Sequence, residues 1–202
     1  MLLRMGTPGL PVSDDDLTAK ARIRNAAMRL FAEQGEDGTP MRAIAAEAGV
    51  TVGLLVHHYG TKDRIRAAVE EQIVEYVSRA IGQVPVAGDT ARFAAARDAA
   101  VRDMLVVNPV IVDYLRRTIL DPKRGHELLA RLTDLTHQEV VKVREGGVAS
   151  TEKSESAQVV GVMVRQLGQL FLQPMVDVMW AHLSESGVPT DEKPALQVRL
   201  SR

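Results

Sequence analysis

The segment from Pro40 to Tyr59, PMRAIAAEAGVTVGLLVHHY, constrains the fold more than any other part of the chain. Ile44, Ala45 and Ala48 form an apolar stripe at helical spacing. Gly49 follows where the chain has to turn sharply, because glycine takes the left-handed backbone conformation at little cost. Val50 is the apolar plug of that turn. Thr51 caps a second short helix whose Leu55 and Tyr59, four residues apart, face inward. Two short helices joined by a glycine-containing turn form a helix-turn-helix, which sets the N-terminal residues of its second helix on base edges in the DNA major groove. Upstream, Ile23, Ala27, Leu30 and Phe31 give a helical stripe able to cover the back of both helices. Downstream, Thr61 caps a helix that opens with Lys62, a cation at a helix N-terminus and so suited to a phosphate.

The rest of the chain reads as helical. Aromatic residues are only 3%, period-two apolar alternation is scarce, and good helix formers dominate. Punctuation is frequent. Asn108-Pro109 and Asp121-Pro122 each place a capping residue before a proline suited to the first helical position. Gly146-Gly147 ends one stretch and Ser150 or Thr151 caps the next. Val84-Pro85 with Gly88-Asp89 separates two more, and Gln173-Pro174 breaks or kinks another. The spacing predicts helices near 18–34, 40–47, 52–58, 62–82, 90–106, 109–120, 123–145, 151–172 and 175–185. The expected fold is all-α, a three-helix headpiece followed by a larger helical domain. The domains are expected at 18–63 and 64–186, between a loose leader (1–17) and a loose tail (187–202).

Composition removes several classes of function. With no cysteine, disulfides, thiolate metal sites and cysteine nucleophiles are excluded. A formal net charge of −1 argues against indiscriminate coating of nucleic acid. Between Thr18 and Val69, however, eight basic residues stand against five acidic ones, a local surplus that suits an anion-binding module. The first residues lack the apolar core of a signal peptide, and the apolar stretch Val159 to Val164, cut by Arg165, is too short to span a bilayer. A cytoplasmic protein with no membrane partner is expected.

Arg22-Ile23, Ala27, Leu30-Phe31, Gly35, Ile44-Ala45, Ala48-Gly49-Val50-Thr51, Gly53, Leu55, His58-Tyr59 and Lys62-Asp63 resemble the N-terminal domain of the TetR family of transcriptional repressors. The likeness runs in order over about fifty residues, roughly a quarter of the chain. It implies a homodimer that binds a palindromic operator in double-stranded DNA and is released by a small apolar or amphipathic effector. At the matching positions, Val52, Gly53, Leu54, Val56 and His57 would face the groove or its walls. Arg42 would reach a base or phosphate, Lys62 a phosphate, and Thr51 the DNA backbone besides its capping role. Three departures stand out. Glu36 stands in place of a usual aromatic, so the packing at that corner is either missing or made by other groups. Pro40 replaces a usual Ser or Thr cap, leaving Thr39 as the expected cap. Val56 replaces a tyrosine whose hydroxyl contacts phosphate, which lowers the expected operator affinity. Apolar Val52 and Leu54 shift readout toward thymine methyls and DNA shape.

Residues 157–172 are apolar nearly all round, so that helix needs cover on both sides. With the Met175 to Leu183 stripe it is the expected dimer face, through Val160, Gly161, Val164, Gly168, Phe171, Met175, Met179 and Trp180; a monomer burying both faces is the competing reading. A ligand pocket among the helices of 90–146 and 160–180 would use Met104, Val107, Tyr114, Leu115, Ile119, Met163, Gln166 and Phe171. Arg116, Arg117 or His137 would be its polar handles, although each of these side chains can equally be core or surface. No cofactor or metal is implied: His57 and His58 are adjacent, about 100° apart on a helix, and cannot share one ion. His126-Glu127 and His137-Gln138-Glu139 do not make the His-Glu-x-x-His zinc motif, and no nucleophile elbow or phosphate loop occurs, so catalysis is not expected. The alternative is a helical ligand-binding protein with a weak or inactive headpiece.

Overall fold

In the computed structural model the described residues are 18–86, 89–121, 125–149, 151–187, 192, 193, 196 and 198. Among them there are eight α-helices and no strand: α1 (Ala19–Gln34), α2 (Met41–Glu47), α3 (Val52–Tyr59), α4 (Lys62–Gly82), α5 (Thr90–Val107), α6 (Pro109–Ile119), α7 (Gly125–Glu145) and α8 (Glu155–Glu185). Side-chain caps fix several starts. Thr18, Thr51 and Thr61 accept from backbone N–H groups three residues on, at 3.1–3.3 Å. Asp89 accepts from the N–H groups two and three residues on, those of Ala91 and Arg92, both at 3.0 Å. Each such cap is worth about 1 kcal/mol.

The chain packs as two compact units. Of the described residues, one holds those up to Tyr76 together with Asp103–Arg117, and the other holds those of Val77–Arg102 and from Thr118 onward. In the first, Ile23, Ala27 and Phe31 of α1 meet Ile44 and Ala45 of α2 and Leu55 and Tyr59 of α3, all buried. Ile65 and Val69 of α4 and Tyr114 of α6 are buried in the same unit. In the second, α7 packs on α8, and Leu132, Val140, Val159 and Met163 of these two helices are buried.

Several expectations need correction. Residues 151–172 and 175–185 are not two helices; α8 runs unbroken through Pro174 for 31 residues. A proline inside a helix costs about 3 kcal/mol, but no Ser, Thr, Asp or Asn lies at 172–175 to cap a new start, and helix formers flank the site. Gln173 Nε2 donates to Asp177 Oδ1 at 2.8 Å across that turn. As one helix, α8 is long and apolar enough to cross a membrane by length and composition, the one such helix among the described residues. Its start is capped by Ser154, whose Oγ accepts from Ala157 N at 3.2 Å, rather than by Thr151. A start at Thr151 would put Glu152 and Lys153 in the first turn with their charges cancelling, whereas Ser154 leaves Glu155 alone there to face the helix dipole.

Thr39 does not cap α2. The helix begins one residue later, behind Pro40, and the buried Thr39 hydroxyl donates back to Gly35 O at 2.7 Å. Asn108 likewise turns backward, donating to Met104 O at 2.8 Å while Pro109 opens α6. The leader 1–17, Gly88, Pro122, Ser150, the first two residues of the helix expected at 123 and most of the tail lie outside the described residues.

Candidate nucleic-acid interface and ligand cavity

The two short helices α2 and α3 are held by the turn between them. Gly49 has φ +65°, the conformation that a side chain there would strain, and Val50 N donates to Ala45 O at 2.9 Å. Leu55 is wholly buried and anchors α3 inward. Tyr59 completes the anchor, its hydroxyl donating to Lys20 O at 2.8 Å. Burial pushes the Tyr59 phenol above its ordinary value, and the positive charge of Arg24 opposes that rise.

With that side fixed, the other face of α3 is outside. Val52, Leu54 and Val56 are 45%, 37% and 47% exposed, and Gly53 and His57 are exposed beside them. Thr51 is exposed too, its hydroxyl accepting from Leu54 N. An eight-residue helix thus shows solvent three large aliphatic side chains that its own fold does not cover. Arg42 is exposed on α2 and forms no ion pair among the described residues, in contrast to Arg29, which pairs with Glu47 at 3.1 Å.

Lys62 is more occupied than its position suggested. Its ammonium donates to Glu36 O at 2.8 Å and Thr39 O at 3.3 Å, closing the loop between α1 and α2. One donor of the three is left over. The residue with no such duty is Arg64, exposed in the first turn of α4 and without an ion pair among the described residues. Sequence reasoning passed over it, although a cation in a helix's first turn works against the dipole and so signals another use. At Glu36, ionic packing takes the place of the usual aromatic. The buried Glu36 carboxylate lies 3.4 Å from Arg66 Nε, and Arg66 Nη1 lies 3.2 Å from the fully buried Glu70.

The second unit contains a cavity of about 290 Å³ between the end of α4, α5, α7 and α8. Its apolar wall includes Ile81, Phe93, Leu135, Val140, Val143 and Val162. Of the expected ligand residues, Gln166 lines it and the others do not. Tyr114 is packed in the core of the first unit, to which Met104 also belongs. Arg117 donates there to Ala32 O and Glu33 O at 3.0 and 2.9 Å. His137 sits on an exposed face 3.5 Å from Glu155, Met163 is buried with its sulfur 3.2 Å from the Thr136 hydroxyl, and Phe171 is half-buried. Helical spacing identifies which residues are apolar but not which inner face is left unfilled. The wall residues contributed by α5, such as Phe93 and Asp98, carried no distinguishing signal.

On α8, Val160, Met175 and Met179 are exposed, while Val164 and Trp180 are half-buried. Gly161, expected at a subunit contact, lines the cavity. Gly168 is not open to a partner's backbone either. Val198 of the same chain lies so close that a Cβ on Gly168 would sit 2.6 Å from Val198 Cγ2, because the bare glycine face accepts a branched side chain of the tail. Lys193 also pairs with Asp177 at 2.7 Å, and that hydrogen bond holds the Asp177 carboxyl below its ordinary value.

Residues 23–69 match the family of bacterial regulatory proteins named tetR. The chain is 45% identical over 62 residues to the HTH-type transcriptional regulatory protein RaaS of Mycobacterium tuberculosis, covering 31% of this chain and 29% of that protein. It is 30% identical over 131 residues to the HTH-type transcriptional repressor Rv1474c of the same species, covering 61% of this chain and 67% of the repressor. The fold matches that of a TetR-family transcriptional regulator from Haemophilus influenzae with a TM-score of 0.59, over 85% of this chain and 95% of that one at 17% identity. The match at 23–69 coincides with the headpiece helices, and the likeness to Rv1474c continues well beyond them; the chain belongs to the tetR family of bacterial regulatory proteins.

Proposed function

We propose that this protein is a one-component transcriptional repressor of the bacterial cytoplasm that binds a palindromic operator as a homodimer and is released by a small amphipathic effector. The observation that carries the DNA half is the outward face of α3, where Val52, Leu54 and Val56 stay exposed while Leu55 and Tyr59 fix the helix from behind. Placed in a major groove, those aliphatic groups meet thymine methyls, and His57 supplies a polar contact. Arg42 and Arg64 of the headpiece form no ion pair among the described residues and are available for phosphates or a guanine edge. Lys62 serves first to hold the α1–α2 loop, with its remaining donor available to a phosphate.

The dimer half rests on α8. Leu172, Met175, Val178 and Met179 are 42–70% exposed along one helix, a run of large apolar side chains of the kind that marks an interaction face. Arg165 and Asp177 lie within its length, and ionised groups are costly in hydrocarbon, which favours a second protein subunit over lipid as the cover. Control by an effector follows from chain continuity. α4 opens beside the headpiece helices at Lys62 and ends at Gly82, and its Val77 and Ile81 line the cavity. A ligand there acts on the helix that carries the headpiece. Two headpieces must meet major grooves about 34–36 Å apart, so a change in their separation removes one anchor.

The test is selection of bound fragments from sheared genomic DNA of the source organism with purified protein at two salt concentrations. Recovery of a palindrome whose retention falls with salt supports the reading. No enrichment even at low salt contradicts it and favours a ligand-binding protein with an inactive headpiece.

A further inference from the structure

The charges around the cavity are sorted in a way that selects the sign of a ligand. Asp98 of α5 is saturated: its Oδ2 accepts from Arg165 Nε at 2.6 Å, and its Oδ1 accepts from Arg165 Nη2 at 3.1 Å and Gln166 Nε2 at 3.3 Å. Glu139 of α7 is held by Arg97 and has Lys142 Nζ 3.8 Å away. These are the two carboxylates among the described lining residues, and each is already matched by a guanidinium of the same wall. The remaining lining cation, Lys153, is exposed just before α8 and has no carboxylate within ion-pair distance among the described residues. A cationic guest would have to displace an arginine to find a counter-charge, whereas an anionic one finds Lys153 free.

We propose that the cavity takes an amphipathic organic anion, with its apolar part against Phe93, Leu135, Val140 and Val162 and its anionic group at Lys153. This rests on the effector half of the reading above and specifies the chemical class. The two internal pairs then serve as fixed polar wall. They hold α5 to α8 through Asp98 and Arg165, and α5 to α7 through Arg97 and Glu139.

Calorimetric titration of the full chain without DNA, using decanoate, decan-1-ol and decylammonium, compares one chain length in three charge states. Decanoate is expected to bind most tightly. Lys153→Gln, at an exposed position that leaves the fold alone, is expected to bring decanoate to the level of the alcohol, a loss of roughly threefold to fivefold, the scale of a solvent-exposed ion pair. Gly161→Leu fills the cavity from a helical site where an added side chain meets open space, and is expected to weaken all three probes. Decylammonium binding as tightly as decanoate would overturn the proposal, as would unchanged decanoate binding in either variant. Absence of binding by all three overturns it as well, and leaves the DNA-binding reading to stand or fall on the fragment selection alone.

Discussion

In the headpiece, Ile23, Ala27, Phe31, Ile44 and Leu55 are no more than 2% exposed, so the apolar stripes of three successive helices find cover within one unit. In α8, more than twice as long as α2 and α3 together, only Val159 and Met163 are buried, and Met175, Val178 and Met179 are 58%, 70% and 56% exposed. Both regions leave aliphatic groups outside, but with different company. Those on α3 belong to a unit whose Arg42 and Arg64 form no ion pair among the described residues, whereas the neighbouring charges on α8, Arg165 and Asp177, are already paired. Exposed apolar surface in the company of free cations suits a polyanion with methyl groups in its grooves. The same surface without them suits another apolar surface. The headpiece is finished as a fold and open as a binding face; α8 is unfinished as a fold.

The largest effect expected is on the headpiece as a fold. Arg66→Met removes the guanidinium shared by the buried Glu36 and Glu70. Breaking a buried ion pair from one side costs about 3–5 kcal/mol, read as a shift in the urea midpoint of unfolding. A change under about 1 kcal/mol, the size of a surface pair, would mean that this corner does not depend on the ion cluster. The complementary change on α8, Met175→Glu with Met179→Glu, is expected to leave monomer stability intact and to disrupt the proposed dimer. A two-fold interface meets each substitution twice, so a loss of about 2–4 kcal/mol is expected, visible as dissociation in sedimentation at micromolar protein. Persistence of the dimer would move the interface off this face.

Between the two in character is Arg42→Ala, which leaves both folds untouched and acts on the DNA face. If the guanidinium reads a base, its removal relaxes preference at one position of each half-site by about 1–3 kcal/mol. Arg64→Ala, by contrast, is expected to weaken all sequences alike and to lower the salt slope by about one unit. Equal affinity of either variant and the parent protein removes that residue from the DNA-binding set. Lys62→Ala should lower headpiece stability as well as affinity, since its ammonium ties Glu36 O and Thr39 O.

These contrasts follow how much of the molecule was legible in the sequence. The turn at Gly49, the caps at Thr51 and Thr61 and the inward pair Leu55 and Tyr59 are local signals that tertiary packing reinforces, and each is found as expected. Expectations failed where one residue had two possible uses. Thr39 and Asn108 carry side chains that cap forward or backward, and both turn back onto the preceding helix end. Pro174 reads as a break or a kink; α8 continues through it, with helix formers on either side and no Ser, Thr, Asp or Asn at 172–175 to favour a new start. The cavity was least legible. An inner void is a property of four helices at once, and Gly161, which spacing alone assigned to a subunit contact, lines it.

The smallest effect concerns the anchor behind α3, and it separates fold from face within the headpiece itself. Tyr59→Phe removes the hydroxyl that donates to Lys20 O at 2.8 Å but keeps the buried ring. A single neutral hydrogen bond contributes about 0.5–1.5 kcal/mol, so a modest loss in stability is expected near neutral pH. Its pH dependence gives the sharper reading. Burial raises the Tyr59 phenol above the ordinary value of 10.0, so the folded chain holds that proton more tightly than the unfolded chain does. The stabilisation is therefore complete below pH 10.0 and is lost as pH rises through the folded value, because the unfolded chain ionises first. Denaturation of parent and Tyr59→Phe should give a constant difference up to that point and a narrowing one above it. Curves that stay parallel through the alkaline range would mean that the phenol titrates alike in both states and is not buried against α1. Operator affinity should follow the same order, falling in Tyr59→Phe only to the extent that α3 loosens, since the exposed face of the helix is unchanged.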